Sequence, residues 1–255
     1  VNNLGSIVVR TAFQPFEQAI FTAFSMTSKS KRKAGSLQRQ ADLLLLLLKL
    51  VSVFAGICIA FGPSYSFTLL WFSYGKKWAL TEAPRILSVY CFYISAMAFN
   101  GVSEAFMHAT ADEAALKRIN ASLVAFSIIH SVTSIVLVKT LGTYGLVLAG
   151  CVSMLTRVAY CWRYTVDYFS AAKCPLGSIL PAPASMAAGL VCCALVVVSE
   201  RIHIPPGGEE SASFDKVLRH FLFGAGLGVT LLFILYRKEN AMLNSLKMFR
   251  KGKEE

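Results

Sequence analysis

The chain has 255 residues, of which 55% are hydrophobic and only 15% charged, and its mean hydropathy is +0.57. A water-soluble domain of this length has too little polar surface to cover so much apolar side chain, so the composition excludes one and specifies a membrane protein. The formal charge of +11 calls for no nucleic acid as partner, because Lys and Arg placed beside anionic lipid account for it.

Apolar runs long enough to cross about 30 Å of hydrocarbon predict seven spans, at about 1–26, 41–62, 85–109, 119–139, 143–163, 184–200 and 217–236. Together these make an all-α, polytopic helical bundle over 1–236, followed by a basic tail over 237–255. The chain opens on Val1 with no basic stretch, apolar core and cleavage site. That start carries no signal peptide and is expected of a fragment whose N-terminal part is missing.

The first span is unusual among the seven. Asn3, Ser6, Arg10, Gln14 and Glu17 recur at helical spacing and share one face. An ionised side chain at mid-bilayer costs about 2.5–3.5 kcal/mol, whereas each Leu or Ile returns only about 0.3–0.6 kcal/mol. The stripe is therefore expected to face protein or water. Pro15 removes a backbone hydrogen bond beside these charges and is expected to bend the helix there.

The connector SKSKRKAGSLQRQ, Ser28 to Gln40, reads as a solvated basic loop. In the second span Lys49 is near enough to one end to snorkel toward water. Gly62-Pro63 is expected to break that span, leaving Phe67, Leu70, Trp71, Tyr74 and Trp78 on an interfacial helix with aromatic anchors. The third span repeats the polar design of the first: Asn100, Glu104 and His108 are four apart and share a face, with Gly101 beside them.

Asn120-Ala121-Ser122 matches a glycosylation sequon at the start of the fourth span, on the side expected to face the cytosol, and is expected to go unused. His130 in that span reads as a packing residue. The fifth span carries Arg157, flanked by Tyr160 and Tyr164. Pro205-Pro206-Gly207-Gly208-Glu209-Glu210 is a turn-rich loop. In the last span Gly224, Gly226 and Gly228 are expected to let helices approach closely. The seven cysteines lie mostly inside spans without a C-x-x-C pair and read as packing residues. No phosphate-cradling glycine loop or nucleophile elbow is present. An enzyme is not expected, nor is a cofactor or metal.

Alternating spans sort the basic residues by side. Fifteen fall on the side shared by the connectors 27–40, 110–118 and 164–183 and the tail, and seven on the other; the richer side is predicted to be cytosolic, C-terminus included. Measured along each helix, Lys49, Glu17, Glu104 and Arg157 lie within about 15 Å of that side, and Arg10 lies deeper. The candidate set for one polar chamber is therefore Arg10, Gln14, Glu17, Lys49, Asn100, Glu104, His108 and Arg157. Two readings are open: the charges pair as interhelical glue, Arg10 with Glu17 and Arg157 with Glu104, or they line a wet cavity for an anionic headgroup.

Two motifs, NNLGSIVVR followed by FQPFE at the start and AFNGVSEAF at Ala98 to Phe106, make the chain resemble the Rft family. The resemblance covers about the C-terminal half of a family member and implies one lobe of a two-lobe transporter of the multidrug/oligosaccharidyl-lipid/polysaccharide exporter superfamily, in the endoplasmic-reticulum membrane. It implies a dolichyl-diphosphate oligosaccharide lipid as substrate, with membrane lipids and the missing N-terminal lobe as further partners. On that resemblance Arg10 and Arg157 contact the headgroup and Glu17 and Glu104 are their partners, in a protein that takes part in moving the lipid from the cytosolic to the lumenal leaflet for N-glycosylation. One position departs from the family pattern: where two adjacent acids follow F-Q-P-x, the second is Gln18 here, which puts the weight on Glu17. The alternatives are a non-transporting lipid-binding or scaffold protein of the same pathway and an ion-coupled exporter of small amphiphiles.

Overall fold

The structure is a computed structural model that describes residues 14–29, 36–171, 179–204 and 212–239. The first half of the first expected span, with Arg10, lies outside the described residues, as do 30–35 of the basic loop, the turn-rich segment 205–211 and the tail from 240. The expected bend at Pro15 falls at the edge of what is described.

Among the described residues every regular element is a helix: α1 Gln14–Lys29, α2 Ser36–Tyr74, α3 Lys76–Ala79, α4 Ala83–Thr110, α5 Glu113–Leu141, α6 Thr143–Ala171, α7 Pro183–His203 and α8 Phe214–Lys238. Six of them, α2 and α4 to α8, are long and apolar enough to cross a membrane, and the chain is a multi-pass membrane protein. Their ends follow from local chemistry. Asp112 caps α5, its carboxylate accepting from the Ala115 amide at 2.7 Å. Gly142, at φ +59°, turns the chain directly from α5 into α6, a conformation a side chain would oppose.

One expectation is corrected. Gly62-Pro63 does not break the second span: α2 runs unbroken for 39 residues with Pro63 inside it, about 58 Å at 1.5 Å per residue. Proline costs a helix one donor, and hydroxyl and thiol contacts gather around the lesion. Ser66 Oγ donates to the Gly62 carbonyl at 2.7 Å and Ser88 Oγ, from α4, donates to the Pro63 carbonyl at 3.0 Å. Cys91 of α4 presses on Gly62, where a Cβ would overlap its sulfur. Phe67 and Leu70 are buried in protein, whereas Leu69, Phe72, Tyr74 and Trp78 are exposed.

The helices sort into two compact units, one of the described residues of Val1–Ser52 and Phe92–Ile179, the other of those of Val53–Cys91 and Leu180–Glu255. The core of the first is built from Ile20 and Phe24 of α1, Leu44, Leu47, Leu48 and Val51 of α2, and Ala98, Val102, Ala105 and Phe106 of α4, positions three or four apart that form one apolar stripe per helix. At its centre Phe106 is fully buried, edge-on to Phe24 at 5.0 Å and stacked on Phe169 of α6 at 5.5 Å. Tyr168 donates to the Oε1 of buried Gln40 at 2.9 Å. Helix α5 packs along α6, yet none of its most apolar stretch is buried. Val124, Ile128, Val132 and Ile135 stand exposed, a surface that hydrocarbon, unlike water, accepts.

In the second unit α7 packs along α8, and α2 joins them through a ring stack. Tyr65 lies parallel to His220 at 4.3 Å and occupies the space a Cβ at Gly224 would take. Close approach is thus the role of Gly224, whereas Gly226 and Gly228 face open space. Glu239, just past α8, is buried. Its Oε1 accepts from the Ala182 amide at 2.7 Å and from Ser185 Oγ at 3.0 Å, a carboxylate on the open amides that begin α7.

Candidate functional site

The polar residues of the first unit gather where α1, α4 and α6 meet. Helical spacing puts Asn100, Glu104 and His108 on one face of α4, and Glu104 is the hub. Arg157 of α6 donates from Nη2 to Glu104 Oε1 at 2.5 Å, and Asn100 donates from Nδ2 to Glu104 Oε2 at 2.8 Å. His108 Nε2 stands 3.9 Å from Glu104 Oε1, too far for a hydrogen bond. The side chains of Glu104 and Arg157 are 21% and 26% exposed, so the pair is shielded but still open to a polar visitor.

Glu17 reaches the same place from α1. A Cβ at residue 101 would overlap its carboxylate, so the buried glycine of the AFNGVSEAF motif is what admits the acid to α4. Glu17 lies within electrostatic range of both Glu104 and Arg157. The described cluster therefore holds two carboxylates around one guanidinium, with a histidine at the margin. A hydroxyl pair extends it along α6, with Tyr164 and Thr110 at 3.2 Å. One turn beyond Arg157, Cys161 is buried in a small apolar cluster with Met107 and Ile119.

Of the eight candidate residues, the structure thus brings Glu17, Asn100, Glu104, His108 and Arg157 together. Gln14 is exposed, Lys49 is half-buried on α2, and Arg10 lies outside the described residues. Arg157 sits with Glu104, the pairing that spacing alone left open between glue and cavity wall. Such an arrangement can exchange partners: an anionic oxygen can take the guanidinium from Glu104.

A second polar network escaped sequence reasoning. His220 of α8 is completely buried. Its Nε2 lies 3.3 Å from the Ser64 carbonyl and its Nδ1 2.9 Å from Ser199 Oγ. A carbonyl can only accept, so Nε2 carries the proton and Nδ1 accepts from the serine. Tyr65 donates to the His220 carbonyl at 2.9 Å. The partners are 21 to 156 residues away in sequence, and the one local signal is a glycine four residues after the histidine.

Comparison with known proteins agrees with the motifs. A family profile described as Rft protein matches residues 1–248, and the chain belongs to that family. It is 31% identical over 203 residues to a protein of Xenopus tropicalis named Man(5)GlcNAc(2)-PP-dolichol translocation protein RFT1, covering 77% of this chain and 36% of that protein. Proteins of the same name match from Mus musculus, 30% identical over 78% of this chain and 38% of theirs, and from Candida glabrata, 26% identical over 99% and 44%. The chain thus spans less than half the length of these relatives. No solved structure matches it.

Proposed function

We propose that this Rft-family chain forms part of a protein that moves a dolichyl-diphosphate-linked oligosaccharide across the endoplasmic-reticulum membrane, and that the Glu17, Asn100, Glu104 and Arg157 cluster meets the diphosphate headgroup on its way. The names of the relatives supply the substrate class, and the tail after α8 is assigned to the cytosol by its basic residues. The carrying observation is the cluster itself. Three helices direct ionisable groups to one spot, Glu17 and Glu104 from the two quoted motifs and Arg157 from α6, and Gly101 gives up its side chain to let a carboxylate in. Charges inside a membrane bundle mark substrate pathways more often than packing.

The mechanism is an exchange of ionic partners. Resting Arg157 is neutralised by Glu104. An arriving diphosphate offers several oxygens to the guanidinium fork and displaces the carboxylate, which Asn100 continues to hold by its Nδ2 donor. Glu17 then repels the anion unless it binds a proton or cation, so the two acids favour release once the headgroup has moved. Transport of this kind suits a two-lobed bundle with alternating access, and the second lobe, like Arg10, belongs to the proposal. No covalent chemistry on the substrate is involved.

The test is reconstitution of the complete protein in liposomes, with Glu17→Gln and Arg157→Gln compared with wild type for binding of a dolichyl-diphosphate glycan and for its passage between leaflets. Loss of passage in correctly folded variants is the expected result. Wild-type binding and passage in both would leave the cluster as interhelical glue, the reading that the shielded Arg157–Glu104 pair otherwise favours and that suits a scaffold of the same pathway.

A further inference from the structure

Away from that cluster, the second unit contains a cavity of about 460 Å³, inside the range of about 300–1,000 Å³ typical of small-molecule sites. It opens where α4 begins and α7 ends. Among the described residues four charged side chains line it, Glu82 and Arg85 from the start of α4 and Glu200 and Arg201 from the end of α7, and Phe67 of α2 contributes to its apolar wall. We propose that this cavity binds the headgroup of a zwitterionic membrane lipid carrying a primary ammonium, a phosphoethanolamine lipid, with phosphate on the arginines and ammonium on the glutamates.

Position points to a lipid. Both α4 and α7 are membrane-length apolar helices, and their ends lie at the level of the headgroups. Tyr74 and Trp78, at the same end, are more than half exposed, as aromatic side chains at a membrane interface are. Val198 and Ile202 stand exposed on α7 beside the lining residues, an apolar track for an acyl chain.

Charge points to the headgroup. Among the described lining residues two acids and two guanidiniums sum to zero, so a purely anionic head would meet two carboxylates it repels, while a zwitterion answers both signs. Glu82 and Arg85 are only 3.5 Å apart at 64% exposure each, a weak surface pair that ligand charges can replace without loss. Carboxylates recognise a primary ammonium through its N–H donors, whereas a quaternary ammonium is held by a cage of aromatic rings. Among the described lining residues Phe67 is the single aromatic one, which selects ethanolamine over choline.

The experiment is lipid retention by the purified protein, exchanged from nanodiscs of equimolar phosphatidylethanolamine, phosphatidylcholine and phosphatidylglycerol with matched acyl chains, and read by native mass spectrometry. Loss of one or two charge-assisted hydrogen bonds is worth about tenfold, so phosphatidylethanolamine is expected about tenfold over phosphatidylcholine, falling to within about twofold in Glu200→Gln and in Arg201→Gln. Glu113→Gln, in an exposed pair on α5, keeps the preference. If Glu200→Gln fails to fold, the exposed Arg85→Gln answers in its place. Equal retention of the three lipids, preference for phosphatidylglycerol, or a preference untouched by the folded variants would each overturn the assignment.

Discussion

Replacing Arg157 by methionine leaves the Glu104 carboxylate inside α4 with Asn100 as its one remaining hydrogen-bond donor among the described contacts. Removing one partner of a fully buried ion pair costs about 3–5 kcal/mol, because the other charge is stranded. The two side chains here keep 26% and 21% exposure, and water reaching Glu104 lowers the expected loss to about 2–3 kcal/mol. Glu104→Gln strands the guanidinium instead and is expected to cost about 1–2 kcal/mol, since a long arginine stem can swing toward water. The double variant removes both charges, so its cost is expected to be about that of Arg157→Met alone, a coupling of about 1–2 kcal/mol. Unfolding of the four proteins in mixed detergent micelles measures this cycle. Additivity within about 0.5 kcal/mol would refute the pairing. The same double variant separates stability from function: the proposed exchange predicts a folded protein that no longer moves its lipid.

Four further outcomes are expected. Gly101→Val drives a side chain into the Glu17 carboxylate and should cost about 1–3 kcal/mol as overpacking, with part of the loss recovered by Glu17→Ala in the same unfolding assay. Gly224→Ala collides with the Tyr65 hydroxyl while Gly226→Ala meets open space, so thermal melting should drop for the first and stay within error for the second. Phe106→Ala empties the fully buried centre of the first unit and is expected to lose about 3–5 kcal/mol, read by the same micelle titration. Glu239→Ala removes the carboxylate from the Ala182 amide and Ser185, with a loss of about 1–2 kcal/mol, and increased amide exchange confined to the start of α7 would locate it.

Much of the fold is local and was legible. A run of apolar side chains long enough for hydrocarbon must be helical, because lipid offers backbone amides no other partner; the apolar runs from 41 onward accordingly appear as α2 and α4 to α8. Period also placed Asn100, Glu104 and His108 on one face, since positions four apart on a helix cannot do otherwise. What escaped depended on neighbours far along the chain. Pro63 looked like a break because its missing donor is visible in sequence, whereas the packing of Ser88 and Cys91 against Gly62 and Pro63 comes from another helix. His220 has partners that no local pattern announces, because Ser64 and Ser199 reach it only after α2, α7 and α8 have packed. Glu239 read as part of a solvated tail, and a helix start more than fifty residues earlier in the chain claims it.

The amino-acid order alone therefore determined the membrane as solvent, the helices and the shared face of Asn100, Glu104 and His108 on α4, because hydrophobic free energy and backbone hydrogen bonding act over a few residues. Packing alone decided that Arg157 meets Glu104, that Glu17 fits against Gly101 and that four charges surround one cavity at the mouth of α4 and α7. Which charge meets which is settled only when helices distant in sequence come within hydrogen-bonding range, and no periodicity encodes that distance.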